Sequence, residues 1–243
     1  MGDIYGRNPV KEALLSGASV NHVYVVKGAH HKVIDEIYHL ARDRKVPISQ
    51  VERKKIDGLF PGANHQGVYA SVAEQDYVEV EDIITSAKVR GEDPLILVLD
   101  EIEDPHNLGA MLRSADAFGV HGVIISKRHA VGLTLAVAKA AAGAMQYIPV
   151  ARVANIAQTL EALKKEGVWI CGTAVGGEAL NSARLSGPLA MVIGNEGRGM
   201  RPLVAKQCDF VVSIPMRGHI NSLNASVACG IVLAACAAQR AQA

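Results

Sequence analysis

Three polar stretches, each directly after an apolar run, hold the residues of this sequence that could do chemistry. The first, residues 100–113 (DEIEDPHNLGAMLR), follows LILVL. Its Asn107 stands where an amide side chain can cap a helix, Gly109 would admit another backbone, and Arg113 lies nearly two turns further along that helix. The second, residues 194–200 (GNEGRGM), follows LAMVI. Three glycines within six residues would let backbone amides face a ligand, and Glu196 could partner a helix N-terminus or bind a ligand as a carboxylate. The third, residues 214–226 (IPMRGHINSLNAS), precedes an apolar helical run. Ser222, Asn224 and Ser226 compete there to cap the helix, and helix N-termini favour anions and polar ligands.

Other chemistries lose their basis. The sequence has no G-x-G-x-x-G after the first strand of its large domain, and no G-x-x-x-x-G-K-[ST], H-E-x-x-H or G-x-S-x-G. An ordinary dinucleotide dehydrogenase, a P-loop NTPase, a zincin and an α/β-hydrolase are therefore disfavoured. Cysteines stand at 171, 208, 229 and 236 without a C-x-x-C pair, which predicts buried reduced thiols, with no disulfide scaffold and no metal site.

The loops need elements to hold them. Over 94–243 strands and helices alternate: strands at 95–99, 123–126, 147–153, 168–173, 189–193 and 211–214, and helices at 108–118, 134–142, 155–165 and 225–240. Alternation of this kind predicts an α/β fold on a mostly parallel sheet, with ligands beyond the carboxyl ends of strands. Residues 1–73 read as a small α/β unit, with Asn8 capping a helix over 9–15, strands at 22–26, 46–51 and 68–72, and a helix at 34–44. Residues 74–93 hold 7 Asp and Glu against 2 Lys and Arg and read as an acidic linker, helical in part.

Composition bounds the class. With 49% hydrophobic and 20% charged residues, the 243-residue chain can bury a real core and is not wholly disordered. Net charge is only +1, but residues 1–73 carry 10 Lys and Arg against 7 acids, and residues 94–243 carry 13 against 10. Both folded parts are mildly basic, so a local patch for nucleic acid is available. Candidate RNA contacts are Arg7, Lys11, Lys27 and Lys32 in the first part and Arg128, Arg198 and Arg217 in the second. No run of about 18 apolar residues appears. The opening MGDIYGRNPVKEALL lacks a signal-peptide core, which predicts a cytoplasmic protein without membrane contact.

Taken together, NLGAMLRSADAFG (107–119), LAMVIGNEGRGM (189–200) and IPMRGHINSLNASVACGIVL (214–233) resemble the three motifs of the TrmH/SpoU group of SPOUT RNA 2′-O-ribose methyltransferases. IYGRNPVKEALL (4–15) and HQGVYASV (65–72) resemble that family's L30e-like substrate-binding domain. The resemblance implies an L30e-like RNA substrate-binding domain over 1–73, the linker over 74–93, and a SPOUT methyltransferase domain with a C-terminal trefoil knot over 94–243. It implies S-adenosylmethionine as donor and a homodimer with its active site at the subunit interface. Its catalytic positions fall on Arg113, Asn107, Glu196, Ser222 and Asn224, and its donor site on Thr173, Ala174, Val175, Gly194, Gly199, Ile214, Met216, Ser222 and Leu223. The similarity is greatest to members that methylate the ribose of a guanosine in bacterial 23S rRNA. A tRNA ribose methyltransferase of the same family and a non-catalytic RNA-binding ribosome assembly factor are the alternatives. Arg113 could act as a base with a strongly depressed pKa, or stay charged and stabilise a developing alkoxide. Free arginine's pKa of about 12.5–13.8 favours the second. His106 and His219 have imidazoles better suited to a base, but neither is chosen.

Overall fold

The computed structural model describes residues 3–16, 18–219 and 222–242. The chain divides into two units, Met1–Asp76 with Gly132–Leu135, and Tyr77–Val131 with Ala136–Ala243.

The first unit runs β1 (Ile4–Tyr5), α1 (Arg7–Leu15), β2 (Val20–Val26), α2 (Lys32–Asp43), β3 (Ile48–Val51), α3 (Arg53–Leu59) and β4 (Val68–Val72). Its sheet has the order β1-β4-β2-β3. Val23 and Val25 of β2 and Val68 and Ala70 of β4 are buried with Val10 and Leu14 of α1 and Ile34 and Ile37 of α2. Alternate residues of the strands thus bury one face under two helices. Asn8 is not the cap expected of it. α1 begins at Arg7, and Gly6 occupies the cap position at φ +98°, which leaves Asn8 and Pro9 in the first turn. α3 escapes periodicity because RKKIDGL has a single buried apolar residue, Ile56.

The second unit runs α4 (Val80–Arg90), β5 (Leu95–Leu99), α5 (Pro105–Ala117), β6 (Gly122–Ser126), α6 (Leu135–Ala141), β7 (Val150–Val153), α7 (Ile156–Lys165), β8 (Trp169–Ala179), β9 (Leu189–Ile193), α8 (Pro202–Ala205), β10 (Phe210–Ser213) and α9 (Ala225–Arg240). Six strands pair in the order β10-β8-β9-β5-β6-β7, every neighbour parallel. Every residue of β5, β6 and β9 is buried. That is why LILVL and LAMVI are apolar without alternation: both faces of the sheet are covered.

The acidic segment is helical in part, and its helix packs. It holds α4, whose Ile83 and Ile84 are buried in the same core as Ile96, Ile124 and Val192. The fit is close enough that a Cβ on Gly122 would lie 2.6 Å from Ile83. Its charges follow the helix dipole: Glu81 and Asp82 in the first turn, Lys88 and Arg90 in the last. Asp82 also accepts a 3.0 Å bond from the backbone N–H of Glu79. Part of this acidity, at Glu79, Glu81 and Asp82, is therefore capping chemistry.

Candidate active site

Parallel strands deliver their following loops to one edge of the sheet. β8 contributes an irregularity: Val211 of β10 pairs with Gly172 but Val212 pairs with Glu178, so residues 173–177 leave the ladder. The hydroxyl of Thr173 ties this excursion to β9 by donating to the Val192 carbonyl at 2.9 Å. Ser213 donates to the Gly177 carbonyl at 2.9 Å from the other side.

The excursion, the turn after β9 and the segment after β10 enclose a cavity of about 370 Å3, within the range of small-molecule sites. Thr173, Ala174 and Val175 line it from β8. Gly194 and Gly199 come from the second loop. Ile214, Met216, Ser222 and Leu223 come from the third. All nine residues expected at a donor site thus share one space. Gly176, Asn195, Pro215 and Ala228, not singled out from sequence, line it as well. Val175, Met216 and Leu223 remain open to solvent and give the mouth an apolar rim.

Glu196 joins the three loops. Its Oε1 accepts from Asn107 Nδ2 at 2.6 Å, Asn224 Nδ2 at 2.6 Å and the Ala225 backbone N–H at 3.2 Å. Residues 89 and 28 positions apart are thereby fixed to a single carboxylate oxygen at the start of α9, where negative charge is favoured. Asn224 is the helix cap among the three candidates, its Oδ1 accepting from the N–H of Ser226 at 2.9 Å and of Val227 at 3.3 Å. Asn107 is not a cap. Asp104 takes that role by accepting from the His106 N–H at 2.8 Å. This frees the Asn107 amide, buried in the first turn of α5, for Glu196.

The glycine-rich turn does not present free amides as expected. Asn195 and Gly199 exchange both backbone bonds, at 3.1 and 2.8 Å, and Asn195 Oδ1 accepts from the N–H of Gly197 and Arg198. The amides close the turn on itself. Its glycines have steric reasons: a Cβ on Gly194 would sit 2.3 Å from Gly199 C and Met200 N, and Gly199 has φ +67°. Both ends of the turn are pinned to the residues after β5. Asn195 Nδ2 donates to the Glu101 carbonyl at 3.0 Å, and Arg201 binds the fully buried Asp100. Sequence reading passed over Asn195, Asp100 and Arg201. An acid immediately after an apolar strand was the available signal.

Arg113 is not brought to this cavity within the chain. Six residues beyond Asn107 on α5, it stands about 9 Å along the axis and two-thirds of a turn round. It is exposed, with no ion-pair partner among the described residues. The candidate RNA cations divide. Lys11 pairs with Glu36 at 2.6 Å and Lys27 with Glu52 at 2.7 Å, while Arg7 is braced by donating its Nε to the Gln66 carbonyl at 3.2 Å. Arg198 approaches Glu101 only at 4.0 Å. Lys32, Arg128 and Arg217 are exposed. Cys171, Cys229 and Cys236 are buried and Cys208 half-buried, all as free thiols.

The sequence matches two family models, the SpoU rRNA Methylase family over residues 94–234 and an RNA 2′-O ribose methyltransferase substrate-binding family over residues 4–78. It is 45% identical over 231 residues to YacO of Bacillus subtilis (strain 168), assigned by name to the TrmH family of tRNA/rRNA methyltransferases, covering 95% of this chain and 92% of that protein. Among solved structures it resembles the SpoU methyltransferase AviRb from Streptomyces viridochromogenes in complex with AdoMet. The TM-score is 0.63 at 25% identity, over 99% of this chain and 91% of that one. An AdoMet-bound rRNA methyltransferase from Sinorhizobium meliloti gives a TM-score of 0.59 at 25% identity, over 97% and 86%. The chain belongs to the SpoU rRNA Methylase family and is an RNA methyltransferase of the TrmH/SpoU type.

Proposed function

We propose that this enzyme uses S-adenosylmethionine to methylate the ribose 2′-hydroxyl of a guanosine in 23S rRNA, acting as a cytoplasmic homodimer. The observation that carries the reading is the single cavity shared by the three loops, with Glu196 holding Asn107 and Asn224 together at its edge.

The cavity suits the donor. Its volume fits a small molecule, its mouth is apolar at Val175, Met216 and Leu223, and the Gly194–Gly199 turn on its wall is closed so tightly that a Cβ on Gly194 would meet the backbone of Gly199 and Met200. Thr173, Ala174, Val175, Gly194, Gly199, Ile214, Met216, Ser222 and Leu223 would hold it. The crossing of β9 between β8 and β5 is the strand order that a C-terminal trefoil knot would produce.

Bound donor supplies an electrophilic methyl carbon. The chain's own task is alignment, which can contribute roughly 7–11 kcal/mol to lowering such a barrier. Glu196 fixes the third loop through Asn224 and the first through Asn107, so Ser222 and Leu223 are held on the cavity wall, where they would contact the donor. Arg113 is a cation on an exposed helix face and serves the cavity of a second copy. There it grips a phosphate and stabilises the negative charge that develops on the ribose oxygen. Residues 1–73 are the RNA substrate-binding domain and 94–243 the catalytic one, with α4 packed as part of the latter.

Incubating the enzyme with labelled donor and either 23S rRNA or total tRNA, then mapping methylated ribose by mass spectrometry, tests the proposal. Label on a guanosine 2′-oxygen of 23S rRNA is expected. Label on tRNA alone favours the tRNA reading, and donor binding without label on either favours a non-catalytic assembly factor.

A further inference from the structure

Aromatic residues are scarce in this chain, one Trp, six Tyr and three Phe, yet four of them gather on one face of the first unit's sheet. That face is opposite the one under α1 and α2, since Val23 and Val25 of β2 turn towards those helices while His22 and Tyr24 turn away, and α3 covers its middle, where Ile56 and Tyr69 are buried with Tyr24, Val26 and Phe60 packed against them. Tyr5 of β1, Tyr69 of β4 and Tyr24 of β2 stand side by side in register. With Phe60 they make a continuous run of rings. Centroids are 4.9 Å apart from Tyr5 to Phe60, 5.5 Å to Tyr69, 4.5 Å to Tyr24 and 4.3 Å to His22. The inner rings cover one another. Tyr5, at the end of the run, is 43% exposed.

One cation lies over the same face, and two more precede it in α3. Arg53, Lys54 and Lys55 open α3 and are all exposed. Lys55 Nζ lies 5.2 Å from the Tyr24 ring centroid. Among the described residues neither Lys54 nor Lys55 has an ion-pair partner, and Arg53 reaches Asp57 only at 4.0 Å. Three cations at the positive end of a helix oppose its dipole, so helix stability does not account for them. Lys11 and Lys27 of the same unit are, by contrast, neutralised by close carboxylates.

We propose that this face is a stacking platform for an unpaired nucleotide of the RNA substrate: a splayed base lies on the Tyr5 ring, and Lys54 and Lys55 receive the neighbouring phosphates. Every base has a face that can stack on an aromatic ring, and the negative backbone supplies the charge that these lysines lack. The inference rests on the reading that the substrate is RNA.

The test uses the full chain and a single-stranded bromouridine oligonucleotide, with photocrosslinking to locate contacts and titration to measure affinity. Tyr5→Ala should weaken oligonucleotide binding about tenfold, from the loss of one base stack, and Tyr5→Trp should restore it. Replacing Lys54 and Lys55 together by Ala should lower the slope of log affinity against log salt by about 1.4, at roughly 0.7 per phosphate contact on a single strand. Crosslinks should fall on β1 or α3. All variants should bind S-adenosylmethionine and unfold thermally as the wild type does. Unchanged affinity in Tyr5→Ala together with an unchanged salt slope in the double variant overturns the platform, as do crosslinks confined to residues 94–243. A wild-type chain that binds folded rRNA or tRNA but not the oligonucleotide also overturns it, leaving the RNA reading intact. Failure to bind any RNA overturns that reading and the platform with it.

Discussion

Arg201 and Asp100, 101 positions apart in sequence, make a three-point clamp. Asp100 accepts the Arg201 backbone N–H at 2.8 Å and its Nε at 2.8 Å, and the guanidinium Nη2 lies 2.7 Å from the same carboxylate. Asp100 is fully buried where β5 ends, and Arg201 follows directly on the 194–200 turn. A carboxylate in that position would be strongly disfavoured alone, so each partner secures the other. Removing the charge with Asp100→Asn should destabilise the fold by about 1–3 kcal/mol and weaken donor binding. Urea unfolding and calorimetry with S-adenosylmethionine check both. Arg201→Lys, which keeps charge but loses the fork, should fall between wild type and Arg201→Met.

Gly194 has no room for a side chain. Gly194→Ala drives a methyl group to 2.3 Å from the backbone of Gly199 and Met200, and main-chain atoms cannot swing aside as a side-chain tip can. Overpacking of this kind typically costs about 1–3 kcal/mol. Here the relief must come from opening the turn that lines the cavity. Donor affinity should therefore fall at least tenfold, whereas Gly197→Ala, whose Cβ meets only the Asn195 side chain at 3.6 Å, should retain it. Equal affinity in the two variants would contradict the role given to the turn.

Arg113 stands apart from the cavity of its own chain, so its contribution should be recoverable in trans. Arg113→Ala should lower turnover by about 10²–10³, the scale of a lost charge-stabilising donor, with donor binding intact. Met216→Arg, at a position on the cavity mouth, should block donor binding without disturbing the core. Mixing the two inactive variants in equal amounts should restore roughly a quarter of wild-type activity if copies exchange as symmetric dimers. No recovery after co-expression would remove the shared site.

The buried thiols give the fold an alkaline limit. Burial pushes Cys229 and Cys236 up to about 12 from the ordinary 9.0, and Cys208 to about 11. Cys171 is raised by burial as well. Above pH 9 the unfolded chain releases thiol protons that the folded chain retains, so stability present below that pH declines as pH rises towards 12. Urea unfolding across this window should show the decline, and replacing Cys229 and Cys236 by Ala should flatten it. At neutral pH a thiol reagent should modify Cys208 first and the other three only on unfolding.

Several elements are legible without coordinates because their signal is local. LILVL and LAMVI read as strands covered on both sides because they are short, apolar without alternation and bounded by turn residues, and a glycine-dense or amide-rich stretch after such a run marks a loop at a sheet edge. That α4 packs into the core is not legible, because capping charges and linker charges look alike in composition. What separates them is Ile83 against Gly122, a contact between residues 39 apart. Asn107 is misplaced for a similar reason. Asp104, Pro105 and Asn107 all suit a helix start, and only the position of Glu196 decides which amide is free to leave it.

The order of apolar runs and polar loops determines by itself that this chain makes a parallel sheet with three candidate loops at strand ends. Which strands become neighbours is a property of the whole fold, and placing β9 between β5 and β8 is what brings residues 107, 196 and 224 onto one carboxylate oxygen. The same holds for charge. Sequence counts cations, but whether Lys11 pairs with Glu36, or Lys54 has no ion-pair partner among the described residues, depends on distances that only folding sets.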